Sequence, residues 1–286
     1  MLRRILSKIF GAEKAKPEVA EVELDARDVI ERIKAQARPC VRALHANQGS
    51  RSKLGGIPTV PAGFEWPEWK GVPLQFLCQL DLAELQRAMP FEWLPDSGLL
   101  AFFYDQEQST WGFDPADLGS WRVMHFPLDA ILAPANLPQG CVAAGVYSEV
   151  FLTLKQQASL PSPEQAGLNY SQISDEAWRL VEEYQFPEEP LHQIAGWPGA
   201  IQNDGMELEC QLASNGVYLG GSDGYGSEAA KRLAEGSGQW RLLLQLDSDD
   251  DAEMMWGDVG RLYFWVKEPD AAKGDFSGVW MVLQCS

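Results

Sequence analysis

Three short stretches of this chain recur in the same order, and that self-similarity constrains the fold more than any other feature. Lys53-Leu54-Gly55-Gly56-Ile57-Pro58 matches Gln193-Ile194-Ala195-Gly196-Trp197-Pro198, and Gln75-Phe76-Leu77-Cys78-Gln79-Leu80-Asp81 matches Arg241-Leu242-Leu243-Leu244-Gln245-Leu246-Asp247. Each is followed by a run that starts at a glycine, Gly98–Tyr104 and Gly260–Val266. Ordered matches imply a duplicated unit, with copies over about residues 50–154 and 191–286.

From Ser50 onward, short apolar runs are punctuated by Gly and Pro, the pattern of a strand-rich body. Strands are expected at Leu74–Leu80, Gly98–Tyr104, Arg122–Phe126, Val150–Leu154, Met206–Leu212, Val217–Leu219, Trp240–Leu246, Arg261–Val266 and Val279–Leu283. Helices are expected at Leu82–Ala88 behind Asp81, at Asp175–Tyr184 behind Ser174, and at Glu228–Leu233 behind Ser227. Val29, Ile30 and Ile33 add a helix over Leu24–Arg38. The expected class is α+β: strand-rich, mostly antiparallel sheets from an internal duplication, a few short helices and an N-terminal helix. Residues 1–45 read as a basic arm, linker and helix, and residues 46–286 as the body. Within the arm, Leu2, Ile5, Leu6, Ile9 and Phe10 share one side of a short amphipathic helix, suited to docking or simply frayed.

Basic side chains number 23 and acidic ones 41, a formal charge of −18. That surplus argues against nucleic acid, whose phosphates need clustered Lys and Arg. Between Arg179 and Lys231 there is no basic residue, so a cationic partner is favoured over an anionic one. No stretch reaches the roughly 20 apolar residues of a membrane-spanning helix, so no integral membrane association is expected. Cys40, Cys78, Cys141, Cys210 and Cys285 are scattered, with no C-x-x-C pair, which suits a reducing cytoplasm better than a disulfide framework.

The acidic run Asp247-Ser248-Asp249-Asp250-Asp251-Ala252-Glu253-Met254-Met255-Trp256-Gly257-Asp258 is the sharpest constellation. Asp247, Asp249, Asp251 and Asp258 stand at positions 1, 3, 5 and 12 of a calcium-type loop, where alternate side chains converge on a hard cation. Against this, Ala252 stands where the turn wants Gly, Asp258 is one methylene short of the usual Glu, and the flanks read as strands. The plainer reading is a solvated acidic loop with Asp247 starting a turn. Gly220-Gly221-Ser222-Asp223-Gly224 fits the G-x-S-x-G elbow, but no histidine follows His192 to serve as its base. His45, His125 and His192 share no ligand spacing, and a Cys–His pair could form only in space. Trp66, Trp69 and Trp197, in Pro- and Gly-rich loops, are candidate recognition residues together with His192.

The Gly55–Pro58 start, the Gln79-Leu80-Asp81 strand end, the Gly98 strand, His192–Pro198, Gln202, Met206–Leu212, Leu244–Asp247, Trp256-Gly257-Asp258 and Gly260–Phe264 together resemble the YwqG-like family, a bacterial domain of unknown function. The resemblance runs from about Ser50 to the C-terminus. It implies a mixed α+β fold with no assigned reaction and carries over no catalytic residue. Members of that family are met near polymorphic toxins, which implies a candidate immunity role.

The leading functional expectation is a non-catalytic acidic protein-binding module, such as an immunity protein that neutralises a basic toxin. In that reading acids steer the partner and loop indoles anchor it. The alternatives are a calcium-binding or calcium-stabilised module built on residues 247–258, and an enzyme using His192. The observation opposing the first is a deep cleft where imidazole, thiol or acid groups face one another within bonding reach.

Overall fold

The computed structural model describes residues 24–127, 131–169, 171, 173–185 and 190–286. The amphipathic arm and linker expected before Leu24 lie outside these residues. The strands in chain order are β1 Arg38–Ala46, β2 Lys53–Leu54, β3 Thr59–Pro61, β4 Glu68–Trp69, β5 Val72–Pro73, β6 Gln75–Asp81, β7 Leu99–Tyr104, β8 Trp121–Phe126, β9 Leu132–Pro134, β10 Val150–Ser159, β11 Gln193–Ile194, β12 Trp240–Asp247, β13 Arg261–Lys267 and β14 Trp280–Gln284. The helices are α1 Ala26–Lys34, α2 Leu82–Ala88, α3 Gln139–Ala144, α4 Asp175–Gln185, α5 Met206–Ala213, α6 Ser222–Gly226, α7 Glu228–Leu233 and α8 Glu268–Ala271. Among the described residues, no helix is long and apolar enough to cross a membrane.

One ten-stranded sheet carries the molecule, in the order β14-β13-β12-β11-β1-β10-β2-β6-β7-β8, with every adjacent pair antiparallel. The sheet is curled into a nearly closed barrel. Laid flat, β7 and β13 would stand roughly 34 Å apart at about 4.8 Å per strand. Instead the rings of Phe102 on β7 and Phe264 on β13 lie 5.2 Å apart, edge to face. The two edge strands meet through side chains. The Trp121 indole on β8 donates to Val279 O at 2.8 Å and packs on Trp280 of β14 at 5.0 Å. Main-chain bonds add to this seam, with Leu283 N donating to Trp111 O at 3.1 Å.

β7 explains the layering. Leu100, Phe102 and Tyr104 enter the main core, while Leu99, Ala101 and Phe103 face a second cluster with Val60, Leu74, Phe76 and Phe126. Both faces are therefore buried, and the sequence reads as an unbroken apolar run. A third cluster joins α1 to α4 through Val29, Ile33, Ala177 and Val181.

Outward from the central β1–β10 pair, the sheet reads alike in both directions: β11, β12, β13, β14 on one side and β2, β6, β7, β8 on the other. The β6–β7 register shifts between Phe76 and Cys78, and the β12–β13 register between Leu242 and Leu244, at matching positions. Gln79 accepts from Thr59 N and donates to Arg51 O, and Gln245 accepts from Gly199 N and donates to Leu191 O. The turns after β2 and β11 both use positive φ, at Gly55 and Gly56 (54° and 67°) and at Ala195 and Gly196 (60° and 75°).

Two expected strands need correction. Met206–Leu212 is not a strand but lies within the helix α5. Its Met-Glu-Leu-Glu-Cys-Gln-Leu alternation fits a strand, yet Met, Glu, Leu and Gln are strong helix formers, no residue is β-branched, and Met206, Cys210 and Ala213 bury one helical face. Val217–Leu219 carries no ladder; Val217 N closes back on Leu212 O behind the helix. The expected helix over Leu24–Arg38 is shorter, Ala26–Lys34, and the next residues form β1, for which the sequence pattern gives no strand signal.

Candidate functional site

The acidic run links β12 to β13, and it is a built turn. Asp249 pairs with Met254 through two main-chain bonds of 2.8 and 2.9 Å, and the buried Trp256 indole donates to Asp247 O at 3.0 Å. The solvated loop expected from sequence is corrected at its centre, where Asp249 is only 2% exposed.

That carboxylate is bound on all sides. Its Oδ1 accepts from Asp251 N at 3.0 Å and Ala252 N at 3.2 Å. Its Oδ2 lies 2.8 Å from His192 Nε2 and 2.7 Å from His45 Nε2. Burial alone would raise the Asp249 pKa, but the hydrogen bonds from His192 and His45 and the Ala252 amide outweigh it. The carboxyl is held well below the usual range, and so ionised.

His192 is 1% exposed and its ring is fixed from both sides. Its Nδ1 lies 3.1 Å from Asp247 N, a main-chain donor, so Nδ1 must accept and the ring proton sits on Nε2, facing Asp249. A metal-bound imidazole requires the reverse, with its second nitrogen donating outward. Among the described residues, the metal-type donors that converge within 4.8 Å are those of His45, His192 and Asp249. The proton on His192 Nε2 leaves this trio poorly suited to a cation.

His45 comes from β1 and its side chain is 33% exposed. Nε2 meets Asp249 and Nδ1 lies 3.2 Å from Asp251, whose side chain is 77% exposed. Together they line a cleft of about 840 Å³ whose walls include Lys155, Asp247, Asp250, Met255, Val259 and Arg261. Its size is that of a small-molecule or side-chain site.

Of the other sequence candidates, Asp247 accepts from Leu191 N at 2.7 Å and pairs with Arg261 at 2.9 Å. Asp258 is exposed and is not among the residues that line the cleft. The three loop tryptophans do not line the cleft. Trp66 donates to Leu74 O and packs on Phe103, Trp69 lies under the Lys70 ammonium, and Trp197 donates to Gln36 O beneath the Arg38 guanidinium. Ser222 begins the short helix α6 on the surface. All five thiols are buried, and burial pushes Cys40 and Cys141 up to about 11, which makes poor nucleophiles. His45 is the residue that sequence spacing misses, since 204 positions separate it from Asp249.

The first half shows what the fold needs at this point. There Ser52 Oγ accepts from Asp81 N at 2.9 Å, and Asp81 caps α2 rather than starting a loop. A hydroxyl satisfies the strand end, so the two imidazoles and the buried carboxylate exceed what the backbone requires.

Comparison with curated proteins found no match. The family model described as Domain of unknown function (DUF1963) matches residues 52–285, a span that takes in His192 and Asp249 and leaves out β1 with His45. By that match the chain belongs to the DUF1963 family.

Proposed function

We propose that the cleft is an acid–base site in which His45 exchanges protons with a bound molecule. The carrying observation is the buried, ionised Asp249 carboxylate, locked by His192 and two amides, which presents Oδ2 to His45 Nε2. That contact keeps a proton on Nε2 and leaves Nδ1 to take or give one on the cleft side. Asp249 is the orienting group and stabilises the imidazolium, and His192 positions Asp249. The reactive nitrogen then belongs to His45 rather than to His192, the residue that sequence singles out. The test is long-range ¹H–¹⁵N correlation of the His45 ring, expected to show the neutral form protonated on Nε2. Protonation on Nδ1 would overturn the reading. For any substrate found, His45→Ala should cut turnover by about 10²–10⁴-fold.

A second reading, docking of a basic protein, is favoured by the exposed Asp250 and Asp251 at the mouth and the net charge of −18. Together with the YwqG-like resemblance it would make the chain a neutraliser of a basic toxin. Association that weakens steeply with salt supports it. Binding unaffected by Asp250→Asn with Asp251→Asn removes it.

We also infer that the halves descend from one duplicated unit. The mirrored strand order, the matched bulges and the paired Gln79 and Gln245 bonds support this.

A further inference from the structure

His45 does more than meet Asp249. Its ring spans two carboxylates, one buried and one exposed, with Nε2 2.7 Å from Asp249 and Nδ1 3.2 Å from Asp251. The ring form that satisfies both contacts carries a proton on each nitrogen. In that form the ring is a cation of the protein's own, and its two contacts fasten β1 to the β12–β13 loop. Part of the cleft is apolar: Met255 is 45% and Val259 is 60% exposed, and both line it. A positive head between carboxylates and an aliphatic flank describe a basic side chain.

Resting on the acid–base reading above, we infer that the cleft takes an ammonium or guanidinium group on an aliphatic stem, which enters by displacing the Nδ1 proton of His45 from Asp251. The step balances. The incoming cation pairs with Asp251, the Nδ1 proton leaves to bulk water, and Nε2 keeps its proton on Asp249. Net charge in the cleft is unchanged, and His45 becomes the neutral base only when the ligand is seated. Binding thus arms the site.

Other charged or titratable groups line the same cleft from the elements around the ring. From the β12–β13 loop come Asp249, Asp250 and Asp251, from β11's leading residue His192, and from β10 Lys155. Lys155 lies three residues from Leu152, the cross-strand partner of His45, roughly 10 Å along the strand. Arg261 is held by Asp247 at 2.9 Å and by Gly199 O at 2.7 Å, so neither of that pair competes for the ligand. The sum favours a cation beside His45.

The test is calorimetric titration of the full chain with N-acetylarginine amide at about pH 8 and about pH 5.5, the range over which imidazole changes charge. Running each in two buffers of different ionisation heat counts protons. Binding is expected to weaken at least about tenfold at the lower pH, with proton release per arginine clearly larger at about pH 5.5 than at about pH 8. His45→Gln, at a partly exposed position, should fold, bind arginine with little pH dependence and release no proton. Asp251→Asn should weaken binding while leaving Asp249 in place. No binding of arginine by folded wild type, preference for inorganic phosphate, or an unchanged pH profile in H45Q would each overturn the inference. If arginine fails to bind while nuclear resonance still finds the His45 proton on Nε2, the inference falls and the acid–base reading stands. A neutral ring protonated on Nδ1 removes both.

Discussion

His192 and Ser52 occupy corresponding places in the two halves of the sheet. His192 Nδ1 accepts the Asp247 N–H at 3.1 Å, and Ser52 Oγ accepts the Asp81 N–H at 2.9 Å. The same strand end is thus closed once by an imidazole and once by a hydroxyl. Only the imidazole has a second nitrogen to aim at Asp249, so at this end of the sheet the strand terminus is also one wall of the cleft.

His192→Ser is therefore expected to fold but to leave Asp249 short of a buried donor. Losing one hydrogen bond to a buried carboxylate costs about 1.5–3 kcal/mol. Urea unfolding should show a loss in that range, and a smaller loss for His45→Gln, whose side chain is 33% exposed. Equal losses would mean that both rings are merely structural props.

Acid unfolding should report on Asp249. Its folded pKa lies below the unfolded value of roughly 3.9. The sign follows from linkage: the stabilisation is complete above the unfolded value and is lost as pH falls toward the folded one. Asp249→Asn should lower stability at neutral pH and flatten its decline below about pH 4. An unchanged acid limb would mean that the carboxylate is not held ionised.

The turn after β11 admits no side chain at Gly196. Its φ is +75°, and a Cβ would lie 2.2 Å from Ser159 Oγ and 2.8 Å from Cys40 Cβ. At Gly216, φ is +89° with nothing within 4 Å. Gly216→Ala should cost only the backbone penalty, roughly 1–2 kcal/mol. Gly196→Ala should cost roughly 1–3 kcal/mol beyond that. Thermal unfolding of the pair separates conformational from steric loss.

Chelator is expected to leave the melting temperature unchanged, because Asp247 is engaged by Leu191 N and Arg261, and Asp249 by two rings and two amides. A drop of several degrees, abolished by Asp249→Asn, would instead support an ion in the 247–258 loop.

The legible parts of the fold were those whose signal is local. β6 and β12 are short, mostly apolar runs, and Asp81 both ends β6 and caps α2, so that boundary can be read from one residue. The Met206–Ala213 helix was hidden because alternation over eight residues suits either state, and burial of its 206, 210 and 213 face is a tertiary fact. β1 was hidden for a related reason. Pro39 and Arg42 interrupt its apolar pattern, and its ladder partner Val150–Ser159 lies over a hundred residues away. The site divided along the same line. His192 and the acidic run stand out in sequence, whereas His45 joins them only through the β1 register.

The strands at the middle of the sheet are interlaced. β1, which precedes β2, pairs with β11, while β10, which precedes β11, pairs with β2. Each side thus lends its opening strand to the other, and neither can be excised as a free-standing module. A truncated chain keeping only the first half would bare the flank of β1, an unpaired ladder open to foreign strands. The cleft proposed above for proton transfer has the same dependence, because His45 travels with one side and Asp249 with the other. Recombination or engineering that parts them would dismantle the barrel and the His45–Asp249 pair in a single cut.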